Sequence, residues 1–118
     1  YDGAYIGLGG ITLTLSHPSL GSDSCTGDFD IELFGTNVID GNVSNCTLSG
    51  ALSAFGGIST TISGTVDASG NVTAQFDTLG PITFTGSSDG TNFSGTVNDS
   101  FSASGATITV TGTMSAAK

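Results

Sequence analysis

Hydrophobicity in this chain repeats every second residue. In Ile58–Val66, "ISTTISGTV", one face carries Ile58, Thr60, Ile62, Gly64 and Val66, and the other carries Ser59, Thr61, Ser63 and Thr65. "NVTAQFD" puts Val72, Ala74 and Phe76 together, "PITFTGS" Ile82, Phe84 and Gly86, and "NFSGTV" Phe93, Gly95 and Val97. "ATITVTGTM" sets Ala106, Ile108, Val110, Gly112 and Met114 against four threonines. A period of two is that of a half-buried strand, and no stretch keeps the i, i+3, i+4, i+7 spacing of a helix over three turns.

The segments between these runs carry turn chemistry. Asp67-Ala-Ser-Gly-Asn71, Ser88-Asp-Gly-Thr91 and Asp40-Gly41 supply the Gly, Asn and Asp that tight hairpins need. Connections this short join antiparallel neighbours and leave no room for βαβ crossovers. The reading is therefore all-β. An antiparallel up-and-down meander of about 8–9 strands closes into a small barrel over a single domain, residues 1–118, with a β-sandwich as the alternative.

A glycine recurs at one phase and favours the barrel. The pattern apolar–x–Gly–x–apolar appears at Leu48/Gly50/Leu52, Ile62/Gly64/Val66, Phe93/Gly95/Val97 and Val110/Gly112/Met114. Glycine weakens a strand, so its repeated use on the apolar face points to sharp curvature and close cover by a neighbour. The N-terminal third is less regular. "ITLTLS" reads as a strand, "AYIGLGG" phases either way with a bulge at Gly9-Gly10, and "HPSLGSDSCTG" (17–27) and "GALSAFGGI" (50–58) read as loops, the latter carrying Phe55.

Ten acids face one cation, Lys118, for a formal net charge of −9. Nucleic acid and anionic membrane surfaces are poor candidates as partners, because both are bound through Lys and Arg. No apolar run approaches the ~20 residues of a membrane-spanning helix. Cys25 and Cys46 are expected to form one disulfide, the bond of an oxidising compartment. With Tyr1 in first place, the chain reads as a mature exported product, secreted or at a cell surface, in extracellular or periplasmic space.

The opening "YDGAYIG", the hairpin "SGTVDASGNV" and the closing "FSGTV…ATITVTGTM" resemble small exported bacterial β-barrels, including the barrel halves of transferrin-binding-protein-like surface lipoproteins. The resemblance covers the C-terminal half and the first strand. It implies an exported or surface-associated eight-stranded barrel. It implies no ligand and transfers no functional residue.

Few groups point to chemistry. His17, the one histidine, precedes Pro18 in a Ser/Gly-rich segment and has no evident nucleophile to serve. "FDTLG" (76–80) is similar to the Asp-Thr-Gly turn of aspartic proteases but has Leu79 where that turn needs glycine. In "DFDIELF", Phe29, Ile31 and Leu33 point one way, and Asp28, Asp30 and Glu32 form a ridge on the other face, about 6.7 Å apart. That ridge is either a Ca²⁺ or docking stripe or the charged outer face of an edge strand, and the edge strand is the expectation. Asp67–Asn71 offers a single charged ligand and reads as a turn rather than a cation loop. Threonine rows at Thr107/109/111/113, Thr83/85 and Thr12/14 resemble the ice-binding rows of antifreeze proteins, though threonine is also simply a good strand former. Asn42, Asn45, Asn71, Asn92 and Asn98 stand in Asn-x-Ser/Thr sequons, which matter only in a glycosylating host.

The functional expectation is a non-catalytic binding module that needs no cofactor or metal. Its ligand is an apolar small molecule held among Phe29, Phe76, Phe84, Phe93 and Phe101, or a protein partner. The alternative is a structural or adhesive subunit that self-assembles by strand addition.

Overall fold

Residue by residue, burial follows the alternation. In β5 (Asn71–Phe76), exposed and buried positions alternate without exception, with Val72, Ala74 and Phe76 inside. The computed structural model describes residues 1–55, 57–78, 82–103 and 105–118, excepting the side chains of Ile39, Asp40, Ala51, Ala54, Phe55 and Ala103. Around β5 stand β1 (Gly3–His17), β2 (Gly21–Phe34), β3 (Asn37–Thr47), β4 (Gly57–Val66), β6 (Ile82–Ser88), β7 (Asn92–Ala103) and β8 (Ala106–Ala117). Each strand pairs antiparallel with the next, and β8 returns to β1, closing an eight-stranded up-and-down barrel. It is a barrel, not a sandwich.

Curvature is set where backbones meet without an intervening side chain. Gly64 lies against Thr73 and Ala74 of β5, and Gly112 against Thr12 and Leu13 of β1, so close that a Cβ would fall 2.4 Å and 2.1 Å from carbonyl oxygens. The β1 bulge is where the sequence placed it. The register slips between Gly7 and Ile11 against β2 and between Ile6 and Ile11 against β8, and Gly9 has a φ of 65°.

Four expectations need correction. The segment 17–27 is not a loop: β1 runs to His17 and β2 starts at Gly21, leaving a turn of Pro18, Ser19 and Leu20. Hydroxyl pairing across the strands, Thr14 to Ser24 at 2.7 Å and Thr12 to Thr26 at 3.3 Å, carries the ladder through this polar stretch. Asp40-Gly41 is not a turn. The chain reverses at Gly35-Thr36, where Gly35 takes φ 60°, while Gly41 lies buried inside β3 with Ile62 against it. Gly50 does not bend a strand; it opens a 3-10 turn, Gly50–Phe55, within the segment read as a loop. Finally, β2 is not an edge strand, since β1 and β3 pair on its two sides.

Different devices close the two ends. At one end the 3-10 turn contributes Leu52, buried with Leu48, and Asp23 accepts from the Ser49 N–H and hydroxyl. At the other, Gly90 N–H donates to Ser88 Oγ, Ser88 donates to Tyr5 Oη, and Tyr5 donates to the Tyr1 carbonyl. Every polar atom in that relay is satisfied, as burial of Tyr5 and Ser88 requires.

Candidate functional site

The interior was the first candidate, and its aromatic side chains pack against one another. Phe29, Phe76, Phe84 and Phe93 are buried in mutual ring contact, with centroids 5.6 Å apart for Phe29–Phe93, 6.4 Å for Phe29–Phe84 and 5.1 Å for Phe76–Phe84. Phe101 packs against this core at its margin and is only partly covered. The Cys25–Cys46 disulfide forms and is buried too. It joins β2 to β3 rather than a loop to a strand, and Gly27 leaves the space that Cys46 occupies. Eight-stranded barrels of this size are commonly filled in this way.

The carboxylates have local work. Asp28 accepts from Gly9 N–H at 2.9 Å and from Asn45 Nδ2 at 2.7 Å, pinning the β1 bulge. Asp67 accepts from the N–H groups of Ser69 and Asn71, and Asp89 from those of Thr91 and Asn92. Asp99 accepts from Thr83 and Ser100 N–H, and Asp2 from Gly35 N–H. Asp77 gathers Ser63, Thr61 and Gln75. Hydrogen bonding to the ionised form favours it. The carboxyls of Asp23, Asp28, Asp67, Asp77, Asp89 and Asp99 are accordingly held below their ordinary range. The leading donors are the N–H groups of Ser49, Gly9 and Asn71, the Ser63 hydroxyl, and the N–H groups of Asn92 and Thr83, respectively. In a chain with one cation, seven of the ten acids, Asp2, Asp23, Asp28, Asp67, Asp77, Asp89 and Asp99, thus find amide or hydroxyl donors.

Among the described residues, none of the isolated motifs assembles a reactive constellation. His17 Nδ1 accepts from Ser19 and Leu20 N–H and so stabilises the first turn. Of "FDTLG", Asp77 is engaged as above, and Leu79 and Gly80 lie outside the described residues. Asp28, Asp30 and Glu32 do share one outer ridge, but no group of three His, Cys, Asp or Glu able to hold a metal ion occurs among the described residues. Asn42, Asn45, Asn71, Asn92 and Asn98 are all exposed.

The outer wall carries what the sequence reading missed. Cross-strand register aligns Thr65, Thr73, Thr85, Thr96, Thr113, Thr12 and Thr26, each directly opposite the next, on strands β4 through β8 and then β1 and β2. All seven are exposed. This girdle cannot be read along the chain, because it exists only once the ladder register is known. The wall is polar outside and apolar inside, the reverse of a lipid-facing barrel. No helix among the described residues is long and apolar enough to cross a membrane.

Apolar side chains interrupt the described wall on β1 and β2. Ile6 and Leu8 on β1 and Phe34 on β2 are three of the five exposed large hydrophobic residues among those described, at 60%, 85% and 61% exposure. Ile6 lies directly opposite Asp30 with Leu8 two residues further along β1, a departure from the hydroxyl surface around them, while Phe34 stands four residues beyond Asp30, about 13 Å along β2. No protein-family model matches the chain, and neither the curated proteins nor the solved structures include a significant match. The resemblance to transferrin-binding-protein-like barrels therefore rests on strand grammar alone.

Proposed function

We propose that this barrel is an exported, non-catalytic binding module that recognises a protein partner on its outer wall. The observation that carries the reading is the division of its apolar surface. The phenylalanines where a small molecule would sit are packed against one another, while Ile6, Leu8 and Phe34 remain in solvent on neighbouring strands. The buried disulfide is consistent with an oxidising compartment. Assembly by strand addition would have to use strand ends that outrun a neighbour, such as the part of β7 beyond its pairing with β6 at Val97, or open the closed β1–β8 seam.

The test compares inside with outside. Calorimetric titration with a long-chain fatty acid and with retinol is expected to give no saturable heat. One-to-one uptake that shifts the resonances of Phe29 and Phe84 would move the site into the barrel and sink the reading.

A second reading, adhesion to a hydroxylated solid, is favoured by the threonine girdle. Depletion of the protein from solution by growing ice or by suspended cellulose, relieved by Thr96→Lys and Thr113→Lys, is the result it requires. Curvature counts against it, since only a few adjacent strands of a barrel can lie against one plane.

A further inference from the structure

The apolar patch is built rather than incidental. Gly7 and Gly10 press against the Ser115 carbonyl so closely that a Cβ on either would lie 2.0 Å or 2.2 Å from its oxygen. Asp28 holds the intervening loop of the bulge through Gly9 N–H. The bulge is thereby clamped between β8 and β2, and Leu8 is pushed out of the wall. Ile6 lies directly opposite Asp30 on β2 and Ala117 on β8, and Ala4 lies opposite Glu32. Shallow depressions flank Ile6 on both sides, one bounded by Asp30 and Glu32, the other by Leu8 and Ala117. Phe34 continues the outward phase of the acidic ridge two residues beyond Glu32.

We infer that this patch docks a basic, amphipathic segment of a partner protein, one that combines large apolar side chains with Lys or Arg. The inference rests on the outer-wall reading above and adds the chemistry of the partner. Ile6 and Leu8 supply area that gains from burial, and Asp30 and Glu32 supply charge at its rim, where complementarity governs association rate and partner choice. The one cation nearby, Lys118, is turned toward the Tyr5 ring, its Nζ 5.5 Å from the centroid, and so toward the mouth of the barrel. A second copy of this chain would bring −9 against −9. An anionic bilayer would be repelled in the same way.

The test uses the full, oxidised chain, ¹⁵N-labelled, titrated with a synthetic amphipathic helix of Leu and Lys. Oligolysine of equal charge, a Leu/Glu helix and zwitterionic vesicles are the comparisons. Amide shifts are expected at Ile6–Gly10, Asp28–Glu32 and Ser115–Ala117. Leu8→Ser should weaken the Leu/Lys peptide by about tenfold, as loss of an anchoring side chain does. Asp30→Asn with Glu32→Gln should weaken it several-fold and flatten its salt dependence. All three positions lie on the outer face, and an unchanged spectrum away from the patch verifies the fold of each variant.

Oligolysine binding as tightly, with shifts spread over the Asp67 and Asp89 turns, would show an unspecific polyanion and overturn the site. Equal binding of the Leu/Glu helix or of vesicles would show an apolar patch without charge selection, overturning the basic partner while leaving the outer wall in place. Self-association through the patch, or no binding of the Leu/Lys helix, would overturn the inference. Failure of the underlying reading shows separately, as uptake of fatty acid or retinol into the core.

Discussion

Gly112 shows how far a single residue determines this barrel. Its missing side chain is replaced by the β1 backbone, with Thr12 O and Leu13 Cα taking the space of a Cβ. Backbone cannot yield as a flexible side chain would, so Gly112→Ala forces the β1–β8 seam apart. The expected cost is about 1–3 kcal/mol in urea unfolding, the range for overpacking. Gly57→Ala, whose nearest neighbour would be Thr47 Oγ1 at 3.9 Å, is the control and should change stability by less than about 0.5 kcal/mol. Tyr5 makes a second residue-scale case. Tyr5→Phe keeps the ring but deprives Ser88 of its acceptor and the Tyr1 carbonyl of its donor. A loss of about 1–3 kcal/mol is expected from leaving buried polar groups unpaired, read by the same unfolding curve. The alternation identified Tyr5 only as an aromatic of uncertain phase; its partner lies 83 positions away, and no local pattern encodes that.

At the scale of elements, the turns and hairpins were legible where local chemistry fixes them. Asp67 and Asp89 each organise a turn whose acceptors and donors are all within four residues, so sequence suffices. Because the Asp67 carboxylate is already taken by those N–H groups, neither Ca²⁺ nor a chelator should move the melting temperature. A rise of several degrees with Ca²⁺ would restore the cation loop. The segment 17–27 was misread for the opposite reason. Its Ser, Asp and Gly look like loop residues, but pairing with a threonine-rich β1 makes them the polar face of a strand. The disulfide within this region links adjacent strands 21 residues apart. Reduction should lower stability by roughly 3 kcal/mol if the chain-entropy account holds. A reduced protein that melts with the oxidised one would mean that strand pairing already restrains the unfolded chain.

For the whole molecule, acidity is a structural resource. Six carboxyls have pKa values depressed on folding from an unfolded value near 3.8 by the hydrogen bonds they accept. Groups of this sign contribute stability that is fully present above the unfolded value and is lost as pH falls through the folded one. The melting temperature should therefore be level through neutral and mildly acid pH and decline below about pH 4. A melting temperature that holds or rises down to pH 3 would show that relief of the −9 charge outweighs the lost acceptors.

By itself the sequence determined the all-β class, the inward and outward faces, the β1 bulge, two of the hairpins and the disulfide. Each of these follows from a period of two, from turn residues or from cysteine count, all of which act within a few residues or without reference to position. Only the tertiary structure decided closure over stacking, the end plugs, the threonine girdle and the setting of Ile6 and Leu8 beside Asp30 and Glu32. Those depend on cross-strand register. Register is a relation between distant segments, set by how glycines let backbones approach and by what the closed interior can hold, and no single strand contains it.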